Sequence, residues 1–243
     1  MVTLKYQERF KTVKGVFDAF TNRNLFELQS RGHFDELVSP LKIGKEANVF
    51  LASSGKRYVI VKIYRIQNSD FSGMYNYIKQ DPRYESLKKR RREIIFAWVQ
   101  REYKNLHRSF EKGVKVPKPL ALKHNVLIEE LIGDEISGEV ALPLKDSAPQ
   151  DVEEFFELLI EQLRLMYHAA GLVHGDLSAF NILNLKMDEG DKPILIDFSQ
   201  CTLVKSRASL ELLKRDVKNL LQYFKKQGLK LDAEEVVARI VKK

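Results

Sequence analysis

Between Leu172 and Gln200 the chain reads L-V-H-G-D-L-S-A-F-N-I-L and then, after a short connection, P-I-L-I-D-F-S-Q. Asp176 stands five residues before Asn181, and Asp197 closes the apolar run Ile194 to Ile196. This stretch constrains the fold more than any other, because its polar groups must converge from a loop and a strand end. Phosphoryl transfer asks for positioning and charge neutralisation more than for covalent work. Asp176 would accept or orient the proton of an attacking hydroxyl. Asn181 and Asp197 offer the hard oxygens that Mg²⁺ prefers. A lone His-x-Asp reads as readily as a turn with a packed histidine; the whole constellation in this context does not.

Upstream, the pattern supplies a site for these groups to face. Ala47 to Ala52 and Arg57 to Tyr64 read as strands joined by a turn at 53–56. Gly44 to Val49, G-K-E-A-N-V, precedes and opens this hairpin, where a phosphate-covering loop would sit, although it holds a single glycine. Lys62 lies among apolar neighbours and needs a partner or a ligand; alone it reads equally as a lysine on a solvated strand face. A helix is expected over about 93–110, with Trp98, Glu102 and Leu106 on one face. Glu102 is the natural partner of Lys62. Val126 to Gly133 reads as a strand and hinge, where the Glu130 carbonyl and the Ile132 amide could meet an adenine edge, or simply as an edge strand.

The remainder is framed by weaker signals. Residues 1–40 read as helical, with Thr21 capping a helix over 22–31 and Ser39-Pro40 ending it. The 65–92 stretch shows little periodicity and reads as a mobile insertion with a basic exit, Lys88 to Arg92. That run is either a solvated segment or a contact for RNA phosphates, with no aromatic platform evident beside it. Amphipathic helices are expected over 155–170, after an Asp151/Glu154 capping box, and over 210–224 and 233–240, the last capped by Asp232. The 243 residues are 44% hydrophobic and carry a net charge of +8, which fits a water-soluble domain and permits a polyanionic partner. Cys201 is the only cysteine, which excludes an internal disulfide and suits a reducing, cytoplasmic setting. No apolar run approaches a membrane span and no signal peptide is evident.

Four features resemble the RIO family of atypical protein kinases, most closely its first branch. They are G-K-E-A-N-V; the upstream V-F-D-A-F-T to R-G segment (Val16 to Gly32); the two loops around Asp176 and Asp197; and L-K-R-D-V-K-N-L (Leu213 to Leu220). The resemblance implies an α+β, two-lobed protein-kinase-like fold, reduced, without the activation segment and substrate-binding helices. It would divide the chain into an N-terminal helical extension (1–40), an N-lobe (41–132) and a C-lobe (133–243). It implies binding of ATP with Mg²⁺, or Mn²⁺ in its place, through Gly44, Lys45, Glu46, Ala47, Asn48, Val49, Lys62, Glu130 and Ile132. Asp176 would be the catalytic acid/base, Lys62 the phosphate lysine held by Glu102, and Asn181 and Asp197 the metal ligands. Asp197 would also be a site for an aspartyl-phosphate. The acceptor would be a protein serine, with autophosphorylation at Ser69, Ser72 or Ser86. A role in small ribosomal subunit maturation follows from the same likeness, with the pre-ribosome and its RNA as partners and kinase or ATPase output. Gly175 and Phe198 depart toward the second branch, but 40 residues are too few for that branch's winged-helix domain. Glu129 stands where a gatekeeper methionine is common.

Two other readings remain. Aminoglycoside-type phosphotransferases share H-G-D-x-x-x-x-N and I-D-F, but need a larger C-terminal region than the 46 residues after Asp197, and no small-molecule acceptor is expected. A non-catalytic RNA- or pre-ribosome-binding module would have no reason to keep all five polar groups in place.

Overall fold

The structure, a computed structural model, describes residues 17–66 and 70–242. Its N-terminal part is a five-stranded antiparallel sheet: β1 (Glu36–Ile43), β2 (Ala47–Ser54), β3 (Arg57–Tyr64), β4 (Pro119–Lys123) and β5 (Val126–Glu130). Their order is β1-β2-β3-β5-β4. Strand alternation sorts the sheet's two faces. Val59, Val61, Ile63, Val126 and Ile128 point to one side and bury against Leu25, Leu28 and Phe34. Lys62 and Glu129 point to the other, the cleft.

Leu25 and Leu28 belong to α1 (Ala19–Ser30). Asp18, not Thr21, caps it: the Thr21 amide donates to Asp18 Oδ1 at 2.7 Å. Thr21 points inward instead and accepts from Asn125 Nδ2 at 3.0 Å, while Asn24 donates to Asn125 Oδ1 at 2.9 Å. This buried amide cluster pins the helix to the β4–β5 turn. Of the helical reading of 1–40, the part over 1–16 lies outside the described residues, and beyond Ser30 the chain is not helical. Glu36–Ile43 is an edge strand that tolerates Pro40, and its register slips between Leu37 and Ser39 and again between Pro40 and Lys42. The boundary expected at residue 40 falls inside it, and Val38 is exposed.

The stretch read as a mobile insertion without periodicity carries a helix, α2 (Phe71–Ile78), and a 3₁₀ turn at Pro82–Tyr84. Met74, Ile78 and Tyr84 are buried in the main core, and Asp81 is only 2% exposed. The segment is short and its ordering comes from tertiary contacts, which local periodicity does not report. Ser69 lies outside the described residues; Ser72 and Ser86 are exposed.

Helix α3 (Arg91–Glu111) lies on the cleft side, burying Ile94, Ile95, Trp98 and Leu106. The C-terminal part is built on α4 (Val152–Leu165), whose Glu154 amide donates to Asp151 Oδ1 at 2.9 Å. A single π-turn at Met166–Ala170 extends α4 to Gly171, which adopts φ +65° and releases the chain into the loop that carries Asp176. Two closing helices follow, α5 (Ser209–Lys226) and α6 (Ala233–Val241), the latter capped by Asp232. Phe156 of α4 meets Phe224 of α5 edge to face at 5.0 Å. No helix among the described residues is long and apolar enough to cross a membrane.

Candidate active site

Lys62 and Glu102 meet across the cleft, one from mid-β3 and one from α3, and form an ion pair. Glu102 is fully buried. A third group joins them that the sequence reading treated only as a departure: Glu129, one residue from the end of the apolar run of β5, is 7% exposed and faces the same ammonium. Burial alone would pull the Lys62 pKa down, but the carboxylates of Glu102, Glu129 and Asp197 outweigh it and hold the amine charged. One ammonium cannot serve three acids. Burial pushes Glu102 up to about 8 against the pull of Lys62, and Glu129 is pushed up for the same reason. Asp197 alone is held below the usual range: Lys62 and the Ser199 hydroxyl, 2.8 Å from Oδ1, overcome its burial.

Lys62, Glu129, Asp197 and Ser199 wall a cavity of about 410 Å³, with Glu102 buried behind Lys62. Its roof is the Gly44–Val49 turn, closed by the Gly44 amide donating to the Ala47 carbonyl at 3.0 Å. A Cβ on Gly44 would lie 2.7 Å from that oxygen, so one glycine suffices where the turn is this tight. Gly44, Lys45, Glu46, Ala47 and Val49 all line the cavity, but Asn48 does not. Strand alternation turns Asn48 away, and its Oδ1 accepts from Arg65 Nε and Nη2 at 3.3 and 3.1 Å. The expected ligand role of Asn48 thus becomes one of bracing the turn. Lys42, which no sequence signal singled out, lines this cavity and a neighbouring apolar one of about 540 Å³. Glu130 and Ile132 line the second, with Val49, Ile60 and Leu183.

The opposite wall carries Asn181 and Asp197. Asn181 donates its amide nitrogen to the Asp176 carbonyl at 2.8 Å and weakly to Asp176 Oδ2 at 3.4 Å. That leaves the Asn181 carbonyl oxygen as the group it offers to the cavity. Asp197 adopts φ +65°, a left-handed conformation that costs a non-glycine residue about 1 kcal/mol or more. The donor set, one carboxylate and one amide oxygen beside surplus negative charge, fits a hard divalent cation.

Asp176 is half-buried, and its pKa is raised by burial and by the nearby Asp197 charge. Gln200 Nε2 reaches its Oδ2 at 3.3 Å. His174 is buried and neutral: burial lowers its pKa, and Nε2 bonds the Ile196 carbonyl at 3.0 Å. The loop itself hangs from α5. Asp216, 1% exposed, accepts the Gly175 amide at 2.7 Å and the Leu177 amide at 3.0 Å, while Arg215 donates to the Gly175 carbonyl. Burial pushes Asp216 up to about 7 despite those two amides. Sequence reading took Leu213 to Leu220 as a helix and as part of the family resemblance but gave Asp216 no role; a lone acid within its apolar stripe was the available signal.

The expected RNA contact, Lys88 to Arg92, lies away from the cavity and does have aromatic rings beneath it. Arg91 sits 3.9 Å over Phe71, Lys89 5.5 Å over Tyr75 and Arg92 5.2 Å over Phe20. Phe20 comes from α1, and Phe71 and Tyr75 from α2 of the same 65–92 stretch, so only the fold brings them under the run.

Comparison with known proteins adds three findings. The RIO domain model matches residues 48–236. The RIO-type serine/threonine-protein kinases Rio1 of Haloferax volcanii and Methanocaldococcus jannaschii are 38% and 37% identical, over 96% and 98% of this chain and 78% and 80% of theirs. The crystal structure of the Rio2 kinase–ADP/Mg²⁺–phosphoaspartate complex from Chaetomium thermophilum superposes with a TM-score of 0.65 at 21% identity, covering 90% of this chain and 66% of that one.

Proposed function

Because this chain belongs to the RIO family of serine/threonine-protein kinases, we propose that its cleft binds ATP with Mg²⁺ and passes the terminal phosphoryl group to a protein serine. One observation carries the residue assignment: Lys62, Asn181 and Asp197 wall a single cavity, with Asp176 hydrogen-bonded to Asn181 at its edge. The adenine would lie in the apolar chamber beside Glu130 and Ile132, and the phosphates under the Gly44–Val49 turn. Mg²⁺, or Mn²⁺ in its place, would be held by Asn181 and Asp197 and would neutralise charge on the phosphates. Lys62, kept charged by the acids around it, reaches the same phosphates. Asp176 orients the acceptor hydroxyl and takes its proton; its raised pKa makes it a stronger base than an ordinary aspartate. Ser72 and Ser86, together with Ser69, are the candidate acceptors within the chain.

A second output is supported by Asp197, which is ionised beside Lys62 and can itself receive the phosphoryl group before water removes it, giving net ATP hydrolysis. We infer that the protein acts in the cytoplasm on the precursor of the small ribosomal subunit, a reading the family likeness supports, with the 88–92 run as its RNA contact. In this reading residues 41–132 would form the nucleotide-covering lobe and 133–243 the lobe that carries Asp176, Asn181 and Asp197.

Single-turnover reaction with γ-labelled ATP tests the assignment. Label should appear on serine or as a base-labile acyl phosphate, and Asp176→Asn should abolish transfer while ATP still binds. Normal turnover in that variant removes Asp176 from the chemistry. Brisk labelling of an aminoglycoside, with none on protein, would replace the protein-kinase reading.

A further inference from the structure

Four consecutive carbonyls just after Asp197 are held by side chains from elsewhere. Asn105 Nδ2 donates to Phe198 O at 3.1 Å. Arg101 Nη1 donates to Ser199 O at 3.0 Å, and Nη2 to Cys201 O at 2.8 Å. The Tyr77 hydroxyl donates to Gln200 O at 2.6 Å. Buried carbonyls in an irregular turn need such partners. What distinguishes this turn is what its side chains then touch: Ser199 Oγ donates to Asp197, and Gln200 Nε2 donates to Asp176. Each of the two acids is therefore one residue removed from a clamp.

The clamp is anchored in the 70–90 segment. Arg101 is 1% exposed, and Asp81 answers its charge at 3.2 Å. Asp81 also chelates Arg83, which in turn donates to Asn105 Oδ1 at 3.0 Å. Tyr77 is fixed edge to face on Trp98, with the Arg101 guanidinium 5.0 Å from its ring centre. Burial pushes its hydroxyl up to about 12, so it stays a donor across the working range. Removing one partner of a buried ion pair costs more than the pair itself contributes, so the segment docks as a unit.

We propose that Tyr77, Arg101 and Gln200 are positioning residues, and that the 70–90 segment is the brace that sets Asp176 against Asp197 for phosphoryl transfer. None of the three lines the phosphate cavity. Their contribution is orientation, which catalysis reads in the transfer step and nucleotide binding does not. The proposal rests on the assignment of Asp176 and Asp197 given above. It places the segment that carries Ser72 and Ser86 in mechanical contact with the acids.

The test uses the full chain and two mild variants, Tyr77→Phe and Gln200→Met, each removing one donor without opening the core. Transfer is measured in single turnover at saturating labelled ATP and normalised to titrated nucleotide sites; ATP affinity is measured separately. Each variant should slow transfer about tenfold and leave ATP affinity within about twofold. The double variant should be no slower than the slower single one, because both act through Gln200. A wild-type rate per site in Tyr77→Phe overturns the proposal. So does a loss of rate matched by an equal loss of ATP affinity, or a double variant whose effects multiply. Asp176→Asn serves as the control: if it still transfers, the acid assignment has failed; if it is dead while Tyr77→Phe is unimpaired, only the brace has failed.

Discussion

Replacing Asp216 by asparagine tests how the loop around Asp176 is held. The carboxylate accepts two amides, Gly175 N on Oδ2 at 2.7 Å and Leu177 N on Oδ1 at 3.0 Å, from a side chain that is 1% exposed. Asparagine keeps the shape but only one acceptor; its amino group then faces the other N–H, donor against donor. A hydrogen bond to a charged group contributes roughly 1.5–3 kcal/mol, and a buried N–H left unpaired costs about 1–3 kcal/mol. These overlap, so about 2–3 kcal/mol is expected. Measured at pH 8, where the carboxylate is charged, one of the two amides should exchange with solvent about 30- to 150-fold faster, at 1.4 kcal/mol per factor of ten. Hydrogen exchange resolved at Gly175 and Leu177 is the assay. Unchanged protection at both amides would refute the reasoning, whatever happens to the melting temperature.

Other consequences are as direct. Glu102 is raised from 4.5 to about 8 by burial, so the stability it contributes is full below about pH 4.5 and is lost as pH rises toward 8. Melting of the nucleotide-free wild type should therefore fall across pH 5–8 relative to Glu102→Gln; parallel curves would show a glutamate ionised throughout. Asn181→Ala and Asp197→Asn should each weaken the Mg²⁺ dependence of nucleotide binding about tenfold or more, read by titration calorimetry with and without the metal; equal dependence in both would remove them as ligands. Neutralising Lys88 to Arg92 should weaken RNA binding and flatten its dependence on salt, read by filter binding at several ionic strengths. An unaltered slope would return that run to solvent.

The parts of the fold that followed local rules were legible from sequence. The β2–β3 hairpin, the long helix with Glu102 and the Asp151 and Asp232 caps follow from periodicity and capping chemistry, and the Lys62–Glu102 pair from the cost of burying either alone. What escaped depends on distant partners. Thr21 has the chemistry of a cap, but Asp18 precedes it and Asn125 claims its hydroxyl. The 70–90 segment has weak local preference, yet Asp81, Arg83 and Arg101 order it. Asn48 was assigned to the ligand by its place in the motif, whereas strand alternation decides which way it points.

Pro40 sits on the outermost strand of the sheet, between two slips of register. An unpaired strand margin is an invitation to foreign strands, and a chain that exposes one is at risk whenever its neighbours are crowded. Here an incoming backbone would meet a residue with no N–H to offer and a pleat that changes phase twice within a few residues. Among the described residues, the margin nearest the nucleotide roof is thereby a poorer template for strand addition than a regular edge, with Leu41 and Ile43 exposed beside it.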